Sequence, residues 1–393
     1  MEKLKQTAKK MQSDLVRHRR FLHEHAEIGF DVKDTIEYLN SRLVEMGYLP
    51  KHVGGGLIVT VGNVKKQAFL LRADIDGLPI KEESGEPFSC RLGNMHACGH
   101  DFHATMLLGA AKLLKDKEKE LNGCIKLFFQ PAEERLEGAK KAIEEGVLQT
   151  PMVVGAMALH VAVSTPLKTG TLILAKSGIV APSADFFKVV IDGKSCHGAS
   201  PQNGVDALSV AAHTIVSLQA FSAREIPVFS GGVLTLGKLI SGTNANVIAG
   251  KAELYGTFRI FDEEIRESGK RRLEEIVKSI AKAYRAKSKL QFTSSCPSLY
   301  NDKDLTCFLN DIAEECRMKT VLPQEKLSVG GSEDFAYISH AVPCVLFAIS
   351  AGAKQDGYEY PLHHEKVVFD EDALWVGAYW YAACALAFDA KKR

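Results

Sequence analysis

Ala68-Phe69-Leu70-Leu71-Arg72-Ala73-Asp74-Ile75-Asp76 is an apolar strand that runs straight into a pair of carboxylates. Two further segments repeat that grammar. Ile125-Lys126-Leu127-Phe128-Phe129 leads into Gln130-Pro131-Ala132-Glu133-Glu134, and the apolar run 152–159 stops at His160. Helical patterns lie between them. Ile36, Leu39, Leu43 and Met46 share one helix face, with Gly47 where a C-terminal cap belongs. Helices are also expected over 103–114 and 138–145, and a strand over 57–61. Strongly apolar strands alternating with helices predict an α/β fold, its sheet covered on both faces. Ligand sites in such sheets lie beyond the carboxyl ends of the strands. Asp74, Asp76, Glu133, Glu134 and His160 are therefore expected to face one crevice.

The pattern changes between 181 and 295. Strands near 186–191, 233–239, 252–259 and 290–293 and helices over 206–221 and 263–287 follow the order β-α-β-β-α-β. That is the ferredoxin-like arrangement. It predicts an inserted α+β domain at 181–295, with 1–180 and 296–393 forming the first domain. The α/β pattern resumes with a helix near 305–316 and a strand at 344–348, and closes with a helix over 372–388 that holds Trp375 and Trp380. At 393 residues the chain exceeds the size at which single cores usually divide.

Composition excludes several classes. With 49 basic and 48 acidic residues the net charge is +1, which gives no electrostatic basis for binding nucleic acid or an anionic membrane. No stretch approaches the ~20 apolar residues that span a bilayer. The charged start Met1-Glu2-Lys3-Leu4-Lys5-Gln6 lacks the apolar region of a signal peptide. Nine cysteines with no C-x-x-C pair suit a reducing cytoplasm better than a disulfide framework. Gly54-Gly55-Gly56 precedes a strand without a phosphate-binding lysine and reads as a turn.

The chemistry concentrates in Met95-His96-Ala97-Cys98-Gly99-His100-Asp101-Phe102-His103. Thiolate, imidazole and carboxylate are the ligands of zinc-like metals. Cys98 and His100, two apart, project to one side of an extended segment and can chelate one ion or bridge two. His96 and His103 read as outer groups or helix surface. In the pair Glu133-Glu134, one carboxylate can bind metal while its neighbour moves protons. An acidic first helix turn is the bland alternative. His160 stands at a strand end. His363 lies in a loop, where nothing local separates it from His364.

Five motifs occur in order: Asp74-Ile75-Asp76-Gly77-Leu78-Pro79, Met95-His96-Ala97-Cys98-Gly99-His100-Asp101, Phe129-Gln130-Pro131-Ala132-Glu133-Glu134, Gly331-Ser332-Glu333-Asp334-Phe335 and Leu362-His363. Together they resemble the dinuclear metallopeptidase family M20, subfamily D, the branch of hippurate hydrolases and N-acyl-amino-acid amidohydrolases. The resemblance spans nearly the whole chain. It implies a zinc-peptidase-like domain with a mixed sheet covered by helices, and a ferredoxin-like lid that also mediates dimerisation.

Carried over by position, the resemblance implies two divalent ions (manganese, zinc, cobalt or nickel) bridged by Cys98. His100, Glu134, His160 and His363 complete the two sites, and Glu133 is the general base. Asp74, Asp76 and Asp101 orient the ligands. In Gly193-Lys194-Ser195-Cys196-His197-Gly198-Ala199, His197 matches a lid histidine that reaches the partner subunit's site and holds the amide oxyanion. Asn246 and Arg259 match lid positions that bind the substrate carboxylate; arginine suits that task through its planar fork. Arg135-Leu136-Glu137 replaces a glycine-rich stretch, and Ala26, Gln202 and His364 also depart from the common pattern.

The expected protein is a cytoplasmic homodimer, or a higher oligomer, that hydrolyses the amide of N-acyl amino acids with a hydroxide held between the metals. A carboxypeptidase or dipeptidase on the same scaffold is the nearest alternative. A non-catalytic metal-binding protein is a more distant one, disfavoured because a structural site has no use for an unliganded Glu133.

Overall fold

The computed structural model of the chain describes residues 1–322 and 331–391. Two compact units emerge. The first comprises Met1–Val180 and most of the chain from Tyr300 onward; the second comprises Ala181–Leu299 with Ser332 attached.

The first unit holds an eight-stranded mixed sheet. Its spatial order is Lys51–Val53, Gly56–Gly62, Cys124–Gln130, Ala68–Asp74, Val153–Ala162, Cys344–Ser350, Leu172–Ile173 and Thr320–Val321. The four central strands, from 124–130 to 344–350, are mutually parallel. Strands 68–74 and 124–130 are buried at every position. That explains their unbroken apolar runs, because a strand covered on both faces has no solvent side to mark with polar residues. The helix Ala373–Lys391 is apolar around nearly its whole circumference and is buried accordingly. It packs along the helix His100–Lys115, and its Trp380 ring stands edge-on to Phe347 of the sheet at 5.2 Å.

The second unit is a four-stranded antiparallel sheet ordered Gly232–Ser241, Lys251–Ile260, Ala184–Asp192 and Lys287–Cys296. The helices Ala207–Arg224 and Glu263–Ala283 start at Asp206 and Asp262, whose carboxylates accept the N–H groups of Leu208 and Ile265. Phe187, Val189, Leu254, Phe258, Val210, Leu218 and Leu273 fill the space between sheet and helices. A two-stranded ribbon, Cys196–His197 against Val247–Ile248, lies outside the main sheet.

Several boundaries differ from the sequence reading. The helix expected over 103–114 begins at His100, because Gly99 takes a left-handed φ of 82° and turns the chain into it. Cys98 and His100 are therefore not in an extended segment. His160 does not end its strand, which continues to Ala162. The helix expected to reach 287 stops at Ala283, where Arg285 adopts φ 65° and releases the chain into the last strand. No helix among the described residues is long and apolar enough to cross a membrane.

Candidate metal centre

Three imidazoles are held by their backbone surroundings. His100 donates Nδ1–H to the Asp76 carbonyl at 2.8 Å, and His160 donates Nδ1–H to its neighbour, the Val161 carbonyl, at 2.7 Å. In each ring the lone pair left for another partner is on Nε2. His363 adopts φ 66°, a left-handed conformation costly for a non-glycine residue, and its N–H is tied to the Ala97 carbonyl at 2.9 Å. Cys98 sits among them. Its Sγ is 3.1 Å from Nε2 of His363 and 3.6 Å from Nε2 of His160. Gly99 lets this packing happen, since a Cβ there would run into the Val161 side chain.

The glutamate pair arrives from the next strand over. Ala132 and Leu136, at φ 58° and 57°, bracket it in a tight turn. Both oxygens of Asp76 face that turn, accepting Glu133 N–H at 3.0 Å and Glu134 N–H at 3.3 Å. Glu134 Oε1 then lies 3.8 Å from His100 Nε2 and 3.5 Å from His363 Nε2. Among the donor groups that the described residues form, two share Cys98, namely Cys98-His100-His160 and Cys98-Glu134-His363, and a third, His100-Glu133-Glu134, includes Glu133.

These side chains fit metal ions better than they fit one another. His100 Nε2 and Glu134 Oε1 are shut off from solvent with no hydrogen-bond partner among the described residues. Orphaned buried polar atoms are costly and call for a partner. Burial and neighbouring charges also shift the protonation of these groups. Burial pushes the Cys98 thiol far up, and burial with nearby Asp76 and Asp74 lifts Glu134 to about 7. Burial pushes His160 down to about 3. Glu133 is raised well above the usual carboxyl range, first by burial and then by Glu333 and Glu134. Its one backbone donor, Asp334 N–H, is distant at 3.4 Å. Glu133 thus lies next to His100 and Glu134, and among the described residues its carboxylate accepts only this long bond.

Asp74 and Asp101 take outer positions. Asp74 Oδ1 accepts from His103 Nδ1 at 2.5 Å and Oδ2 from Arg72 at 2.7 Å. Asp101 turns to Arg19 and His23, both at 2.8 Å, and anchors the helix start rather than facing the sulfur. Sequence reasoning missed a further layer. Arg72 is fully buried and also contacts Asp334 at 2.8 Å and Glu333 at 3.0 Å, while Gln130 bonds to both Arg72 and Asp334. The cue was an arginine inside an otherwise apolar strand, which needs buried acids nearby. His96 and His103, read as outer groups or surface, are both buried, and neither ring nitrogen of His96 has a partner among the described residues.

Within the second unit, His197 and Asn246 come together. Gly198 N–H donates to the Asn246 carbonyl at 2.7 Å, and the exposed His197 ring accepts from Ala199 N–H at 3.1 Å. Arg259 has other neighbours, donating to Ser332 Oγ at 2.9 Å and lying over the Phe186 ring.

A mixed α/β sheet whose strands, loops and helix start bring cysteine, histidine and glutamate donors together defines a metallohydrolase class. The match to known proteins is specific: the chain belongs to peptidase family M20/M25/M40, whose family model matches residues 70–387. It is 36% identical over 379 residues to an N-acetyl-L-cysteine deacetylase of Bacillus subtilis, covering 94% of this chain and 87% of that one. It is 34% identical over 400 residues to thermostable carboxypeptidase 2 of Saccharolobus solfataricus, covering 100% and 99%. Among solved structures, a dinuclear metal-binding M20 peptidase of Bacillus subtilis superposes with a TM-score of 0.80 at 30% identity, covering 97% and 99%.

Proposed function

We propose that the chain is a metal-dependent amidohydrolase that cleaves the amide bond of N-acyl amino acids at a centre for two divalent cations. The observation that carries this reading is the placement of one thiol, Cys98, in two donor groups, with the weakly held carboxylate of Glu133 next to His100 and Glu134. When bound, the cations polarise the amide carbonyl and lower the pKa of water. Cys98, His100, Glu134, His160 and His363 would hold them. Glu133 takes the proton from the attacking water and returns it to the departing amine as the C–N bond breaks. Soft sulfur and imidazole donors support zinc, and manganese, cobalt and nickel remain compatible with the carboxylate.

The second unit is read as the lid. His197 is assigned to the oxyanion, acting on the partner subunit's site, and Asn246 and Arg259 to the substrate carboxylate. A homodimer is supported by the edge strand 232–241, which carries exposed Val233, Leu239 and Ile240. Nine cysteines with no C-x-x-C pair support a reducing, cytoplasmic setting.

Replacing Glu133 by Gln tests the assignment. The variant should keep its metal and lose hydrolysis of acetyl- and benzoyl-amino acids; retained turnover would remove Glu133 from the chemistry. The carboxypeptidase reading is favoured by the full-length similarity to the Saccharolobus enzyme. Higher kcat/KM on free or blocked dipeptides than on acyl-amino acids would establish it instead.

A further inference from the structure

We infer that Tyr381 and His103 are positioning residues: together they form a polar wedge that parts the two central strands and sets the spacing of the ligand-bearing strand ends. The inference rests on the two-cation reading above.

The parallel ladder between strands 68–74 and 153–162 runs from Ala68↔Val153 to Arg72↔Ala158 and stops. Their outer neighbours do not separate. Strand 68–74 stays paired with 124–130 up to Asp74↔Gln130, and 153–162 with 344–350 up to Ser350↔Ala162. The sheet therefore opens along one seam only, at its centre, where the backbone is buried and every N–H and C=O needs a partner.

Two side chains supply those partners. The Tyr381 hydroxyl accepts Leu159 N–H at 2.9 Å and donates to the Arg72 carbonyl at 2.7 Å. Two residues further along, His103 Nε2 accepts Val161 N–H at 2.9 Å while its Nδ1–H goes to Asp74 Oδ1 at 2.5 Å. Tyr381 occupies the place of a ladder hydrogen bond between two backbone groups, and His103 ties the backbone of one strand to the Asp74 side chain of the other. His160 lies between the two N–H groups so held, and Asp76, which orients His100 and both glutamates, follows Asp74 by two residues. The wedge comes from helices 373–391 and 100–115, which pack on each other, so its two parts share one support.

The test uses the full-length protein loaded with cobalt(II), whose thiolate charge-transfer band and d–d bands report the Cys98 site. The wild type must show the thiolate band; its absence would overturn the two-cation reading itself. Outer groups that orient metal ligands typically affect affinity by about 10–100-fold. Tyr381→Phe removes one oxygen and should weaken cobalt binding about tenfold, with shifted d–d bands. His103→Leu should cost about 100-fold, and His103→Gln, whose amide offers both an acceptor and a donor, should recover most of it. Folded variants with wild-type affinity and unchanged spectra would overturn the wedge. If His103→Leu does not fold, His103→Gln against His103→Asn decides. The shorter amide should bind cobalt about tenfold more weakly, and equal affinities would overturn the inference.

Discussion

Asp76 receives the backbone N–H of Glu133 on one carboxylate oxygen at 3.0 Å while its other oxygen takes Glu134 N–H at 3.3 Å. The same residue's carbonyl takes Nδ1–H of His100. One residue thus orients the proposed proton carrier, Glu133, and two of the proposed ligands, Glu134 and His100, carried on two different elements. Asp76→Ala should lower metal affinity and kcat/KM by about 10–100-fold each. Metal titration and steady-state kinetics on the same preparation check this. Full metal content with normal turnover would show that the turn holds the glutamates unaided.

The buried guanidinium of Arg72 is placed among Asp74, Glu333 and Asp334 and is held charged by them against the cost of burial. Removing one partner of a buried ion cluster leaves uncompensated charge, typically costing about 3–5 kcal/mol. Arg72→Met should therefore lose about that much in urea unfolding. A loss below about 1 kcal/mol would mean that the acids simply take up protons.

The two carboxyls raised to about 7, Glu134 and Asp334, hold protons in the folded metal-free chain that the unfolded chain has released. His100 acts in the same direction: burial alone would lower it, but Asp74 and Cys98 raise it well above 6.5. A group that binds its proton more tightly when folded loses its contribution as pH rises through the folded value. His160, pushed to about 3, works oppositely, but only below its ordinary 6.5. From about pH 6.5 to 8.5 the melting temperature of metal-free protein should fall, on the order of a few degrees. Added metal should reverse the slope, because binding displaces protons from Cys98 and Glu134. Thermal melts with and without chelator test both signs; a metal-free slope that rises with pH would refute the assignment.

The residues that could be read in advance were those breaking an apolar run at its end. Asp74, Asp76, Glu133, Glu134 and His160 stood out because each follows a mostly apolar run, and the fold brings them close to one another. The order of the second unit was equally plain, since each of its strands and helices is long enough to show a period. Arg72 was hidden because its meaning depends on Asp334, 262 residues away. His103 was hidden because a helix-start histidine has the same local pattern whether it faces solvent or a parted strand. The edge strands Leu172–Ile173 and Thr320–Val321 are too short to carry any periodicity. The start of the helix at His100 depended on the left-handed turn at Gly99, which a glycine permits but does not require.

The central claim is that one sulfur is shared by two metal sites. Metal stoichiometry, measured by mass spectrometry on active protein and on Cys98→Ala, tests it most directly. The account predicts two divalent ions per active chain, and a Cys98→Ala protein that is folded, metal-poor and without hydrolytic turnover. Active protein free of metal, or a Cys98→Ala variant with two ions and undiminished turnover, would contradict it.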